Sequence, residues 1–434
     1  MKLKLSITLL TKSISMKKLL VSILTIILFF SLQQKGIAQS SKNELYLNKV
    51  AIKDSLFSQT FQENKNFWVH LPENYNPNST EKYPVVYILD GGALMNSLET
   101  VYNNYWGHYL PHMILVGIQN RTNRTRDLTT SQIKMRRDSE MDKDTGGAEN
   151  FTNYIETELI PHIDKNYPTT SYRTLIGHSY GGLFTINMLV NHNKLFKNYI
   201  AIDPSLDWDN QKLLKEAKTK LQTESFKGKS LFVSLAAEQL HMMNSEISID
   251  NVTEDTSEFT LFPRSIIDFS KFAASNKESG LNFSWKIYPE DLHGTVPLPS
   301  IRDGLIFLFD WFQFKNPPKY NNPETTAEEI EKLLNGQEKI YLQNYGYSVP
   351  PMVEELFIGY GYMNMQMGAP KKAKLFFTKA TKFYPKSANA FDSLAEFYEA
   401  QEDYPNAIKN MKRAFELSGN NTHKERLEKL QAKN

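Results

Sequence analysis

The stretch RTLIGHSYGGLFTINML, from Arg173 to Leu189, places Ser179 between two glycines after a short apolar run. RTLI is typical of a buried strand, GHSYGG of a sharp turn, and GLFTINML of a helix with an apolar face. A G-x-S-x-G pentad between a strand and a helix is a nucleophile elbow, whose strained turn lifts the serine hydroxyl above the sheet. The pattern therefore predicts Ser179 as a nucleophile, and an ordinary turn serine is the alternative.

A nucleophile elbow requires an acid and then a histidine later in the chain. His293 lies in YPEDLHGTVPLPSI, after the last predicted strand, and is the only histidine between His241 and His423. We expect His293 to accept the proton of Ser179. His178 lies inside the elbow and is expected to pack or hydrogen-bond locally.

The acid has three candidates between the serine and the histidine. Glu238 follows the strand-like SLFVSLAAE, where hydrolases with this elbow usually carry the acid. Asp203 ends the preceding strand, NYIAID, and Asp207 is the weakest of the three. Since the Asp-Pro pair at Asp203 readily starts a turn, the sequence favours Glu238.

An oxyanion hole needs two backbone N–H donors. The first is expected from Tyr180, which directly follows the predicted nucleophile. The second is expected from the turn LDGGAL, where we favour Gly92 and keep Gly91 as the alternative. A simple strand-to-helix turn would use the same two glycines.

Short apolar runs alternate with amphipathic segments through the first three quarters of the chain. PVVYILDGG and MILVGI have the continuous apolarity of buried central strands, and GGAENFTNYIETELIPHIDKNY has helical periodicity. This alternation predicts an α/β fold with a mostly parallel sheet covered by helices on both faces. We expect this domain over residues 42–318 and a linker at 319–326, where prolines and asparagines cluster.

A 34-residue spacing relates the helical segments after this linker. Phe357, Gly361 and Ala373 align with Phe391, Ala395 and Ala407 at this offset. The pattern resembles the tetratricopeptide repeat, in which small and large residues let paired helices interlock. We expect an all-α domain over 327–434, either with a groove for a protein partner or as a helical array without a ligand.

Residues 1–38 have the pattern of a secretory signal. Lys17 and Lys18 precede the apolar run LLVSILTIILFFSL, and Gly36 and Ala38 occupy the small-residue positions before a cleavage point. The chain is therefore expected in the periplasm or outside the cell, without a membrane span after cleavage. An uncleaved anchor is the alternative, and Met16 is a second possible start.

Charge and composition exclude several classes of protein. Removing residues 1–38, which hold six lysines and no acids, changes the formal net charge from +2 to −4, so no basic field suggests nucleic acid. The chain has no cysteine, which excludes disulfides and thiolate metal sites. The histidines show no ligand-like spacing, so no metal is expected.

Arginines crowd the loop NRTNRTRDLT after the fourth predicted strand. Arg124 and Arg126 lie at the sheet edge where ligands usually bind, and guanidinium forks suit anionic oxygens. They are candidates for binding an anionic substrate. The alternative is that Arg126 pairs with Asp127 and braces the loop.

Several of these stretches together resemble the esterase D family of α/β hydrolases over roughly residues 45–315, closest to its enterochelin esterase-like branch. They are NFWVHLPENYNPNSTEKYPVVYILDGG, VGIQNRTNRTRDLT, the segment ending in the elbow, and IAIDPSLDWDN. The resemblance implies a serine carboxyl-ester hydrolase without metal or organic cofactor. Asp207 stands where the family usually has an aromatic residue, which leaves the specificity of the acyl pocket open.

These observations together predict an exported serine esterase that cleaves a small-molecule ester through an acyl-enzyme, and an anionic ester is one candidate. A feruloyl or acetyl-xylan type of carbohydrate esterase differs only in substrate. The alternative from another class is a non-catalytic scaffold whose helical repeats recruit a partner.

Overall fold

The computed structural model describes residues 50–433, except 74, 78–80, 137–138, 142, 239, 241–245 and 314. The predicted signal at 1–38 and the start of the predicted 42–318 domain lie outside the described residues. The described chain from Val50 onward is one compact unit. Within it, no helix is both long and apolar enough to cross a membrane.

An eight-stranded sheet forms the centre of the fold, in the order β1-β2-β4-β3-β7-β8-β9-β10. The six strands from β4 to β10 in that order run parallel, and β1 and β2 pair antiparallel at one edge. The small hairpin β5–β6 stands apart from it. The strands are β1 Ile52–Ser58, β2 Glu63–His70, β3 Tyr83–Ile88, β4 Ile114–Ile118, β5 Met135–Arg136, β6 Ser139–Glu140, β7 Thr169–His178, β8 Asn198–Ile202, β9 Ser230–Ala236 and β10 Asn282–Tyr288.

Helices cover both faces of the sheet and continue beyond it. A π-helical turn, Ile155–Leu159, joins α3 to α4. The helices are α1 Gly91–Tyr105, α2 Arg124–Leu128, α3 Ala148–Tyr154, α4 Ile160–Asn166, α5 Tyr180–Asn191, α6 Trp208–Thr223, α7 Leu261–Ser275, α8 Pro297–Leu308, α9 Ala327–Tyr345, α10 Glu354–Gln366, α11 Pro370–Phe383, α12 Ala388–Ala400, α13 Tyr404–Ser418 and α14 Asn421–Gln431.

The core is divided by the sheet because successive strand residues point to opposite faces. In β3, Val85 and Tyr87 join the cluster under α3 to α7, whereas Val86 and Ile88 join the cluster under α1 and α8. All four side chains are fully buried. The predicted α/β fold with a mostly parallel sheet is therefore confirmed, and it is an α/β-hydrolase-like fold.

The carboxyl-terminal region is helical, as expected, and its helices repeat at the predicted interval. The pair α12 and α13 begins 34 residues after the pair α10 and α11. Gly361 of α10 lies against Phe377 of α11, where a methyl group on the glycine would lie 2.6 Å from the ring. The small-against-large contact expected from the alignment is therefore present in the first pair.

The first helix of this region, α9, packs on the sheet-containing part of the chain. The Tyr341 hydroxyl donates to the Phe312 carbonyl at 2.9 Å, and Gln337 Nε2 donates to the Trp311 carbonyl at 2.9 Å. The rings of Trp311 and Tyr345 meet edge to face at 5.4 Å. This aromatic contact joins the helical region to the segment that follows α8.

Two glycines of α10 allow a matched test of the helix pair. Gly361→Ala is expected to lower the free energy of unfolding by about 1–3 kcal/mol, because the added methyl group meets the buried Phe377 ring. A methyl group at Gly359 would meet nothing within 4 Å. Gly359→Ala should therefore leave the free energy of unfolding unchanged or raise it by up to about 1 kcal/mol. Urea denaturation of both variants measures the difference, and equal values would contradict the packing.

Candidate active site

Ser179 occupies a strained turn between β7 and α5. Its φ of 61° and ψ of −115° are unusual for a residue with a side chain. The Ser179 N–H donates to the Ile202 carbonyl at 2.9 Å, and its carbonyl accepts from the Leu183 N–H at 3.0 Å. The structure therefore places Ser179 on the elbow geometry that the sequence predicts, between the end of a strand and the first turn of a helix.

The elbow is joined to the loop after β8. Ser205 donates its N–H to the Ser179 carbonyl at 3.1 Å, and the two hydroxyl oxygens lie 3.4 Å apart. Ser205 is almost fully buried. Its hydroxyl is a polar neighbour of the Ser179 side chain that the sequence analysis did not identify.

His293 is paired with Asp203. The Nδ1 atom of His293 lies 2.6 Å from Asp203 Oδ2, and Asp203 Oδ1 accepts the Ala236 N–H at 3.2 Å. Asp203 is fully buried, and the His293 side chain is 38% exposed. The His293 ring also lies 4.4 Å from the ring of His178, next to Ser179 in the chain. A buried carboxylate therefore orients a partly exposed imidazole beside the elbow.

The preference for Glu238 as the partner of His293 is wrong in this structure. The carboxylate that contacts His293 comes from β8, one strand nearer to the elbow than β9, which precedes Glu238. The main-chain N–H of Glu238 instead donates to the Asp291 carbonyl at 3.2 Å. Chain order is the same for both acids, so the sequence pattern could not choose between them.

Burial shifts the pKa values of two groups that contact His293, namely Asp203 and His178. It raises the pKa of the Asp203 carboxyl, while the hydrogen bond and charge of His293 oppose that shift. Burial, followed by the fields of His293 and Arg124, lowers the pKa of His178 from 6.5 to about 3. His178 is therefore a neutral ring packed on His293, in agreement with the local role expected for it.

Two helix amino termini lie close together at the elbow, where a methyl group on Gly181 would lie 3.5 Å from Leu89 and 3.6 Å from Asp90 Oδ2. Tyr180 begins α5, and Gly91 and Gly92 begin α1. The first N–H groups of a helix have no intrahelical partner, and the helix dipole favours negative charge at that end. Tyr180 and Gly92 are therefore placed at the helix ends where the predicted oxyanion donors would be needed.

The two arginines predicted to bind substrate are engaged by carboxylates. Arg124 forms a bidentate pair with Asp90, both N···O distances being 2.8 Å, and also donates to the His178 carbonyl at 3.0 Å. Arg126 pairs with the buried Asp127 at 2.7 Å. The bracing role considered as the alternative for Arg126 is what the structure shows, and Arg124 braces the elbow in the same way.

A third arginine, which the sequence analysis did not identify, contacts the elbow directly. Arg136 of β5 donates to the Tyr180 hydroxyl and forms a bidentate pair with Asp207 at 2.9 and 3.1 Å. Asp207, the weakest candidate acid, is therefore the partner of Arg136 rather than of His293. The unusual acid at position 207, where a resemblance led us to expect an aromatic residue, was the available signal.

Metal ligation was not expected from the histidine spacing. Among the described residues, no group of three or more histidine, aspartate or glutamate side chains is arranged to hold a metal ion.

Comparison with known proteins finds esterases and a serine hydrolase. The family described as "Putative esterase" matches residues 58–260. Ferri-bacillibactin esterase BesA of Bacillus subtilis is 29% identical over 208 residues, which are 44% of this chain and 72% of the relative. An IroE-like serine hydrolase from Shewanella oneidensis superposes with a TM-score of 0.61 at 26% identity, covering 77% of this chain and 99% of that structure.

A further solved structure is similar to this chain in fold alone. A crystal structure of a protein from Capnocytophaga ochracea has a TM-score of 0.62 at 17% identity and covers 88% of this chain and 99% of that one. Together with the fold, the named esterases and the similar serine hydrolase identify the chain as an esterase. It is similar to enterochelin-esterase-like α/β hydrolases.

The lowered pKa of His178 predicts how stability depends on pH. The unfolded chain binds a proton on this imidazole below about pH 6.5, whereas the folded chain does so only near pH 3. The stability that His178 contributes is therefore present above pH 6.5 and is lost as the pH falls towards 3. The free energy of unfolding should decline less steeply in His178→Gln, by up to about 1.4 kcal/mol per pH unit.

Urea unfolding of both proteins between pH 7 and pH 5 measures these slopes. Parallel slopes would show that His178 titrates normally in the folded chain.

Proposed function

We propose that this chain is an exported serine esterase that hydrolyses siderophore-type esters through an acyl-enzyme. The observation that carries the mechanism is the contact of His293 with buried Asp203 beside the strained Ser179. Export is supported by the signal-like pattern of residues 1–38.

Each residue has a defined role in the proposed reaction. Ser179 Oγ attacks the ester carbonyl, His293 accepts its proton, and the N–H groups of Tyr180 and Gly92 bind the oxyanion. His293 then protonates the departing alcohol. In the second half, His293 takes a proton from water, whose oxygen attacks the acyl-enzyme. His293 then returns this proton to Ser179 Oγ as the acid is released. Asp203 orients the imidazole and stabilises its cation throughout.

The contacts around the His293 ring fix its position. The ring is held at Nδ1 by Asp203 and is flanked by the rings of His178 and Phe262, at 4.4 and 5.6 Å. The neutral state of His178 adds no second positive charge when His293 becomes protonated.

The substrate class is supported by the similar proteins. The relative from Bacillus subtilis is named for a ferri-siderophore ester, and an apo-salmochelin esterase from Escherichia coli is 30% identical over 149 residues, 32% of this chain and 46% of that protein. Because Arg124 and Arg126 are already paired with carboxylates, binding through a free cationic rim is not the proposed basis of recognition.

Covalent labelling tests the nucleophile. A fluorophosphonate probe should label the folded protein once, and peptide mass spectrometry should place the label on Ser179. Ser179→Ala should not react, whereas Ser205→Ala removes the neighbouring hydroxyl and should still be labelled at Ser179. A folded protein that resists the probe would favour the non-catalytic scaffold.

The acid is tested by a pair of isosteric variants. Asp203→Asn is expected to lower kcat for 4-nitrophenyl acetate by about 10³–10⁴, because the imidazole loses its orienting carboxylate. Glu238→Gln should remain within a few-fold of the unmodified chain. Circular dichroism checks that both variants fold, and the reverse order of kcat values would restore Glu238 as the acid.

Substrate class is tested by a panel of esters. Catecholate siderophore esters should be hydrolysed with a higher kcat/KM than feruloyl or acetyl esters of sugars. The opposite preference would identify the chain as a carbohydrate esterase without changing the mechanism.

A further inference from the structure

Arg136 joins three segments that meet at the elbow. It lies in the β5–β6 hairpin, its Nη2 donates to both carboxylate oxygens of Asp207, and its Nη1 donates to the hydroxyl of Tyr180. Asp207 follows the triad acid of the proposed mechanism by four residues, and Tyr180 follows Ser179 directly. The arginine therefore fixes groups that immediately adjoin the reacting centre.

Arg136 and Tyr180 each have a hydrogen-bond donor that the contacts between described residues do not use. A guanidinium has five N–H groups. Among the described residues, Arg136 uses one N–H of Nη1 for Tyr180 and donates from Nη2 to both oxygens of one carboxylate. The Nε–H is buried and has no acceptor among the described residues, and these contacts do not use the second N–H of Nη1. Since the Tyr180 oxygen accepts from Arg136, its own hydrogen is available for donation elsewhere. Tyr180 is only partly buried.

The free-energy cost of burying the Arg136–Asp207 pair argues against a purely stabilising role. The side chains of Arg136 and Asp207 are only 21% and 3% exposed. Removing such charges from water costs about as much as their attraction returns, and the buried Nε–H adds a penalty. What the pair does provide is fixed geometry, because the guanidinium is also held over the rings of Trp208 and Tyr180 at 5.3 and 5.1 Å.

We propose that the Tyr180 hydroxyl and Arg136 form a donor subsite that selects the acyl part of the ester. Tyr180 O–H, polarised by Arg136, donates to an oxygen carried by the acyl group, and the remaining Nη1–H supports the same oxygen. This inference rests on the proposed function of Ser179. It names the preferred substrates as esters whose acyl group carries a carbonyl or phenolic oxygen.

The charged side chains around Tyr180 further define which kind of substrate oxygen the subsite would bind. Asp207 neutralises Arg136, and Asp90 neutralises the nearby Arg124, whose guanidinium lies 5.4 Å from the Tyr180 ring. Among the described residues, the subsite thus offers directed donors whose two guanidinium groups are each paired with a carboxylate. It suits a neutral acceptor oxygen better than a carboxylate, which would meet the field of two aspartates.

Two matched esters measure this selection. 4-Nitrophenyl 4-oxopentanoate and 4-nitrophenyl 4-methylpentanoate differ by a carbonyl oxygen in place of a methyl group. The unmodified chain should prefer the oxo ester in kcat/KM. Comparing the ratio between variants cancels the intrinsic reactivity of the two esters.

Tyr180→Phe removes the hydroxyl and keeps the main-chain N–H and the ring, so it should lower the preference about 10-fold. Arg136→Met should lower it at least as much. Arg413→Met, at an exposed pair with Glu416 in α13, is the matched control and should leave the ratio unchanged.

The outcomes are distinguishable. If the unmodified chain hydrolyses both esters and Tyr180→Phe keeps the same ratio, the donor subsite is wrong and the esterase remains. If the chain hydrolyses neither ester and the fluorophosphonate probe does not label Ser179, both proposals are wrong. If Arg136→Met fails to fold, the Tyr180→Phe ratio decides alone.

Discussion

The close approach of β7 and α5 is the constraint on which the site depends. A methyl group at Gly177 would lie 2.1 Å from the Gly181 carbonyl oxygen and 2.6 Å from Thr185 Oγ1, so strand and helix can meet only without a side chain there. The chain between them must reverse sharply, which puts Ser179 at a φ of 61°. Such a conformation costs about 1–3 kcal/mol and persists because the helix is almost wholly buried behind it.

The other reacting groups converge because neighbouring parallel strands end at the same edge of the sheet. β8 lies beside β7 and ends immediately before Asp203, while the loop after β10 carries His293 across to it. The buried Asp203 is satisfied by His293 and by the Ala236 N–H, so its carboxylate has little freedom to move. A carboxylate and an imidazole are thereby held in one geometry before any substrate binds, which is the preorganisation that catalysis requires.

The carboxyl-terminal helical region contacts the sheet at the amino ends of parallel strands, at the end of the sheet opposite Ser179 and Asp203. The Tyr347 hydroxyl accepts from the Lys82 N–H and donates to its carbonyl, at 3.0 and 2.9 Å, immediately before β3 begins. Lys197, immediately before β8, donates to Asn344 Oδ1 at 2.9 Å. Both contacts lie at the amino ends of parallel strands, whereas Ser179 and Asp203 lie at the carboxyl ends. The contacts of Asn344 in α9 and of Tyr347 just after it therefore lie at the end of the strands away from the candidate active site.

Local sequence determined the elements of this protein and the position of the elbow. Apolar runs, helical periodicity and the G-x-S-x-G spacing predicted the α/β fold and Ser179, because strands, helices and tight turns depend on neighbours in the chain. Tertiary structure decided the partners. Asp203 rather than Glu238 meets His293, Asp90 holds Arg124, and Arg136 reaches Tyr180. These pairings depend on which strand ends and loops lie side by side, and residues distant in the chain leave no periodic signal of that in a single sequence.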